Sequence, residues 1–145
     1  MIMRILIAAA LVAGLSACAS TPMATQEADA SAKEFKVSAN ASRVYIYRNE
    51  NMGAAVKMPV LIDNKPAGST VAKSYIMTDL PAGKHTIVGQ AENDSSLTLD
   101  TVAGKIYYVW QEVKMGVLYA RNKVQEVDEK TGQDGVKESS LIAPL

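Results

Sequence analysis

The sequence predicts an all-β fold, a small antiparallel β-sandwich of about seven to eight strands with room for a short C-terminal helix. Three observations lead there. Short segments rich in β-branched and aromatic residues alternate with period two. Turn signals built on Gly, Pro, Asn and Asp separate them at intervals of ten or so residues. No ten-residue stretch in the middle of the chain carries a helical period.

The first residues stand apart. In "MIMRILIAAALVAGLSAC", Arg4 is a short positive region, and positions 5–15 are apolar or small without a charge. That run has the length of a signal-peptide core and falls short of the roughly 20 residues of a membrane span. It ends in Leu15-Ser16-Ala17-Cys18, which resembles the lipobox of bacterial lipoproteins. The resemblance implies removal of residues 1–17 and a diacylglycerol thioether on Cys18, usually with an N-acyl chain. Two or more chains are what stable anchoring takes. Cys18 is the only cysteine, so it has neither a disulfide partner nor a second thiol for metal. In the lipoprotein pattern an aspartate after the cysteine favours the inner membrane. Here Ala19 follows, which points to the outer membrane, facing the periplasm.

Residues 18–41 are dominated by Ala, Ser and Thr and read as a flexible, lipid-anchored tether with a reach of roughly 25 Å. The alternative is that Phe35 and Val37 add an edge strand. The sandwich domain is expected over 42–145, about one domain by length. Without Arg4 the chain has one basic residue fewer than the 15 of the full sequence, against 15 acidic ones. Near-neutral charge argues against nucleic acid as a partner and against a polybasic membrane patch.

"SRVYIYRN" places Val44 and Ile46 on one face, Tyr45 and Tyr47 on the other. "MPVLID" is the next strand, with Val60 and Ile62 toward the core and Pro59 marking a start or an edge. It closes on a turn at Asn64-Lys65-Pro66, followed by Gly68. A short strand near Tyr75 to Thr78 precedes a Pro81-Ala82-Gly83 turn, and a strand over 84–91 follows. Asn93-Asp94-Ser95 turns into "SSLTLDTV", and Ala103-Gly104 turns again. "KIYYVWQEV" sets Ile106, Tyr108 and Trp110 against Tyr107, Val109 and Val113, and two apolar faces suggest a central strand. "VLYA" and "KVQEV" make two more strands or one long bent one. In the tail, Thr131 and Asp134 have capping-box spacing, whereas Gly132 and Gly135 weaken a helix by about 1 kcal/mol each.

In that order, "ASRVYIYRN", "PVLIDNKPAG", "DLPAGKHTI" and "AGKIYYVWQEV" resemble an uncharacterised family of small bacterial lipoproteins, domain of unknown function 2846. The match covers about Ala41 to Val127. The piece from Val60 to Ile87 also resembles PEGA and transthyretin-like sandwich domains. These resemblances imply a β-sandwich in the cell envelope and no particular activity.

The candidate sites are few. His85 is the sole histidine. As a general base it needs a partner, and a small hydrolase reading would pair it with Asp79; alternation puts it instead on the face of Ile87, as a structural histidine. One histidine and one cysteine cannot make the usual zinc sets. Asp63, Asp79, Asp94 and Asp100 lack calcium-loop spacing, and Gly83-Lys84 and Gly104-Lys105 are turn exits, not phosphate loops. No metal or other cofactor is expected. Tyr45, Tyr47, Tyr107 and Trp110 form a candidate contact surface for an envelope protein or a glycan, with Arg48 and Lys105 as polar neighbours. The bland alternative is that these rings pack under the tail. Residues 49–57, "NENMGAAVK", form a polar loop that an inhibitor or sensor could present. The favoured function is a noncatalytic accessory or binding module, lipid-anchored and periplasm-facing.

Overall fold

The computed structural model describes residues 18–145, so the signal segment expected over 1–17 lies outside the described residues. Eleven elements follow Cys18. The helix α1 (Gln26–Ala32) comes first, then β1 (Ser42–Arg48), β2 (Met58–Ile62), β3 (Lys65–Thr70), β4 (Ser74–Leu80) and β5 (Gly83–Gln90). After them come β6 (Asp94–Thr101), β7 (Ile106–Met115), β8 (Ala120–Val127), the helix α2 (Glu129–Lys137) and β9 (Ser140–Leu141). They form two facing sheets, one of five strands in the order β8-β7-β1-β4-β9 and one of four in the order β3-β2-β5-β6. The expected β-sandwich is therefore present, and of the two readings left open for the tail, a short helix or an irregular segment, the helix forms. Its pairing is not purely antiparallel, because β1 runs parallel to β7, and β4 parallel to β9. A parallel neighbour requires a crossover, and here the second sheet supplies it.

Alternation along β1 decides what lies on each side of the larger sheet. Val44 and Ile46 join Val60, Ile62, Ile87, Leu99 and Val109 in the core between the sheets. Tyr45 and Tyr47 point the other way, into a second cluster with Tyr75, Tyr108, Ala32, Val136 and Leu141 beneath the two helices. The strand β7, with apolar residues on both faces, serves both clusters, as the sequence suggests. A polar chain crosses the inner layer: Thr70 Oγ1 donates to Gln111 Oε1 (2.6 Å), and Gln111 Nε2 donates to Asn122 Oδ1 (3.1 Å). Asn122 Nδ2 then donates to the Gly89 carbonyl (3.1 Å). Each amide is partnered, as burial demands.

Four expectations are corrected. The stretch read as a flexible tether contains α1, capped by Thr25, whose Oγ1 accepts from Ala28 N–H (3.2 Å). Seven residues are too few for an isolated helix; docking holds this one. Ala32 is buried and its carbonyl accepts from the Tyr45 hydroxyl at 2.6 Å. The turn after β2 is a two-residue hairpin at Asp63-Asn64, both at positive φ (50° and 64°), the mirror-image turn that suits strand twist. Lys65 and Pro66 belong to β3, not to the turn. The segment after Gly116 gives one strand, β8, while 117–119 stay outside it as an exposed tip. Finally, α2 begins one turn earlier than the Thr131 spacing suggests. Asp128 is its cap, accepting from Thr131 N–H (2.8 Å), and Asp134 pairs with Lys130 (2.8 Å).

The glycines of α2 have a packing reason. A Cβ on Gly132 would lie 2.2 Å from the Tyr108 ring, and one on Gly135 would lie 2.1 Å from Tyr47. Their helix-propensity cost is the condition for α2 to lie flat on two tyrosines.

Candidate functional site

The exposed aromatic surface expected from alternation is covered. Tyr45 and Tyr47 are almost wholly buried, 0 % and 2 % exposed, because α1 and α2 lie on them. Tyr45 stacks on Tyr108 with ring centroids 5.5 Å apart, and Phe35 closes over both. Burial pushes the Tyr47 hydroxyl up to about 12, with the carboxylates of Glu50, Asp128 and Glu138 adding to it. Tyr107 faces the other way, packs at the edge of the inter-sheet core, and its hydroxyl accepts from Val102 N–H (2.8 Å). Lys105 is exposed in the turn before β7. Of the aromatic set, Trp110 and the almost wholly buried Tyr47 line an opening.

That opening is a groove of about 280 Å³ where β1 ends beside α2, lined by Tyr47, Asn49, Trp110, Thr131, Asp134 and Glu138. Asn49 is oriented by its Nδ2, which donates to Glu138 Oε2 (3.0 Å), leaving Oδ1 unpartnered. Trp110 Nε1 is buried and faces the buried carboxylate of Glu50. Burial raises the Glu50 pKa above the ordinary glutamate value, against the opposing pull of nearby backbone N–H groups, Trp110 and Arg48. Arg48 is fully buried, and its Nε is the last unpartnered atom of the group. Its other nitrogens donate to the carbonyls of Gly53 (2.6 Å), Val56 (2.7 Å) and Thr70 (3.2 Å). Arg48 thus fastens the 49–57 loop from below instead of offering a surface contact. Among the described residues, the buried side-chain polar atoms that lack a well-formed hydrogen bond gather in this one region.

His85 sits elsewhere, at the rim of the inner layer, 7 % exposed. Its Nε2 lies 2.7 Å from the Pro81 carbonyl and its Nδ1 2.6 Å from Asp63 Oδ2. A carbonyl accepts only, so Nε2 carries a proton; the carboxylate favours a proton on Nδ1 as well. The Asp63 hydrogen bond accordingly raises the His85 pKa, with the Pro81 carbonyl assisting against burial, and His85 in turn lowers that of Asp63. Both ring nitrogens are committed to joining the β2–β3 turn to the β4–β5 turn. Asp79, the partner expected in a hydrolase reading, is taken by Arg43 through two hydrogen bonds of 2.7 and 3.0 Å. Asp63 was not legible as the partner because only the β2–β5 register, Ile62 opposite Ile87, brings it there. No group of three or more His, Cys, Asp or Glu side chains is placed to hold a metal among the described residues.

Cys18 is exposed and unpaired. Ala19 N–H donates to the Ala54 carbonyl (3.0 Å), so the cysteine abuts the 49–57 loop. No helix among the described residues is long and apolar enough to cross a membrane.

Comparison with known proteins gives two matches. A family described as "Protein of unknown function (DUF2846)" matches residues 38–123. An uncharacterized protein of Haemophilus influenzae is 33 % identical over 129 residues, covering 88 % of this chain and 77 % of the relative. No solved structure matches the chain. The likeness to PEGA and transthyretin-like domains finds no support among these matches.

Proposed function

The chain belongs to the DUF2846 family of proteins of unknown function, and from that premise we propose that it is a lipid-anchored, periplasm-facing binding module of the bacterial cell envelope that performs no chemistry of its own. The anchoring half rests on Cys18, the lone cysteine, in Leu15-Ser16-Ala17-Cys18 after an uncharged apolar run. The observation that carries the binding half is the open groove of about 280 Å³ beside α2, lined by Asn49, Trp110, Asp134 and Glu138. An indole ring and the carboxylates of Asp134 and Glu138 suit a hydroxyl-rich ligand, and envelope glycan is the class with that chemistry. A noncatalytic role is favoured over hydrolysis because both nitrogens of His85 are already engaged in tying two turns together.

Trp110 is the only tryptophan, so its fluorescence reports on the groove directly. Titration with solubilised peptidoglycan fragments is expected to shift or quench it saturably, and Asn49→Ala is expected to weaken that response. An emission spectrum unmoved by these fragments would remove the glycan-binding reading. For the anchor, mass spectrometry of the membrane-extracted protein should find acyl chains on residue 18, and Cys18→Ser should release the protein from membranes.

A further inference from the structure

Of the eight large apolar side chains that stand exposed among the described residues, five gather at one end: Met52, Met115, Val117, Leu118 and Tyr119. Four of them form the tip of the β7–β8 hairpin, with Met115, Val117 and Leu118 each more than 80 % exposed. This tip is fixed in shape. The Glu92 carboxylate accepts from the N–H groups of Val117 (2.9 Å), Leu118 (3.2 Å) and Tyr119 (3.2 Å). Glu92 N–H donates to the Ala120 carbonyl at 2.9 Å. Gly116 makes the approach feasible, since a Cβ there would meet Glu92 Oε2 at 2.1 Å. A charged side chain is spent on holding an apolar loop in water, where contiguous apolar surface of this kind marks an interaction site.

The occupant follows from what shares that end. A Cβ on Gly53 would lie 3.2 Å from Val113 Cγ1 and 3.7 Å from the Ala120 Cβ, so the 49–57 loop packs on the base of the hairpin. The same loop holds Ala19 through Ala54, which brings exposed Cys18 to the hairpin end of the molecule. Behind the tip, exposed Lys114 and Arg121 face each other across the ladder, Lys114 paired with Glu112 at 3.2 Å and Arg121 close to the Glu92 carboxylate. The aliphatic tip and the tyrosine beside it match the order of acyl region and interface across a leaflet.

We infer that the β7–β8 hairpin tip is a second membrane contact, seated in the bilayer surface beside the lipid on Cys18 and fixing the domain's orientation on it. The orientation claim rests on the anchored reading above. With α1 docked and Ala19 bound, the leash expected from the sequence is taken up into the fold, so anchor and tip act from one end.

The test uses the full chain. In the acylated protein the sulfur of Cys18 is blocked, so Leu118→Cys or Ala103→Cys, the latter in the turn at the opposite end of β7, carries the only free thiol. Each variant is labelled with an environment-sensitive fluorophore and placed in vesicles of phosphatidylethanolamine and phosphatidylglycerol containing lipids spin-labelled near the headgroup. The expected result is a blue shift and lipid quenching at position 118 and neither at 103. The same sample is weighed for acylation of residue 18. Acylated protein with no quenching at 118, or equal quenching at both positions, overturns the seat and leaves the anchor standing. Unacylated protein overturns the anchor independently. A shift at 118 that depends on protein concentration without lipid quenching assigns the tip to a second copy, and one seen in native membranes but not in vesicles assigns it to a protein; either overturns the inference.

Discussion

On its inner face the five-stranded sheet meets the second sheet mainly through the apolar Val44, Ile46 and Val109, with one polar chain through Gln111 and Asn122. On its outer face Tyr45, Tyr75 and Tyr108 meet two short helices, and each hydroxyl finds a partner: the Ala32 carbonyl, the Asp29 carboxylate and the Gln133 amide. The difference shows two ways of holding layers together. Apolar burial is strong and non-directional, which suits two broad sheets. Helices of seven and nine residues bring too little apolar area for that, so the outer face adds directed hydrogen bonds to a ring surface. Deleting apolar volume should therefore damage the whole molecule, whereas damage to the tyrosine face should stay local.

The largest effect is expected inside. Ile46→Ala removes a fully buried side chain and should cost about 3 kcal/mol, read as a lower urea midpoint. Circular dichroism and Trp110 fluorescence should report one coincident transition. Separate transitions would mean that the two faces are different cooperative units, and the comparison would have to be redrawn at that boundary.

Next comes Gly135→Ala. The added methyl meets Tyr47 at 2.1 Å, and overpacking of this kind outweighs the helix-propensity gain to leave a net loss of about 2 kcal/mol. Hydrogen exchange should speed up in α2 and leave β5 and β6 unchanged. Uniform acceleration would show that α2 is part of the global unit and not a separately latched layer.

The inner face was the legible one. Alternation in "SRVYIYRN" makes Val44 and Ile46 the core pair, because the strand period of two is visible in the residue string, while "KIYYVWQEV" groups Val109 with Tyr107 and Val113 without saying which of its two apolar faces is inner. The same alternation placed Tyr45 and Tyr47 opposite the core, correctly, but could not say what covers them. The cover comes from 26–32 and 129–137, at the two ends of the described chain, and long-range docking leaves no local period. Gly132 and Gly135 read as helix breakers until their closeness to Tyr108 and Tyr47 is seen. The groove at Asn49 and Trp110 depends on that docking too, so it had no signal of its own; Trp110 was found only as one ring of a set.

A smaller loss is expected at the latch of α1. Asp29 Oδ1 accepts from the Tyr75 hydroxyl (2.7 Å) and Leu141 N–H (3.0 Å), and Oδ2 accepts from Lys33 Nζ (2.8 Å). Burial works to raise its pKa, but these bonds outweigh burial and hold it below the ordinary aspartate value. A lowered folded pKa means that the latch is complete above the unfolded value, near pH 4, and fails as pH falls through the folded one. Asp29→Ala should cost about 1.5 kcal/mol at neutral pH and expose 26–37 to limited proteolysis. Acidification should reproduce that cleavage pattern in the wild type, and a wild-type pattern unchanged at low pH would dissociate the latch from Asp29.

The smallest effect carries the opposite sign and belongs to the inner layer, whose rim holds His85. Because Asp63 and the Pro81 carbonyl raise the His85 pKa, the pair's contribution is fully present below the unfolded value, near 6.5, and is lost as pH rises through the folded value. Asp63, with its pKa lowered by His85, sets the acid limit: its share disappears as pH falls through its own folded value. Half of the Asp63 side chain is exposed, so screening limits the gain to about 1 kcal/mol or less. Urea midpoints measured from pH 6 upward should decline through the folded His85 pKa in the wild type, and His85→Asn should flatten that decline. The Asp29→Ala variant should keep it. If His85→Asn left the alkaline slope intact, the slope would belong to another group, and the assignment of alkaline sensitivity to the inner layer would fail.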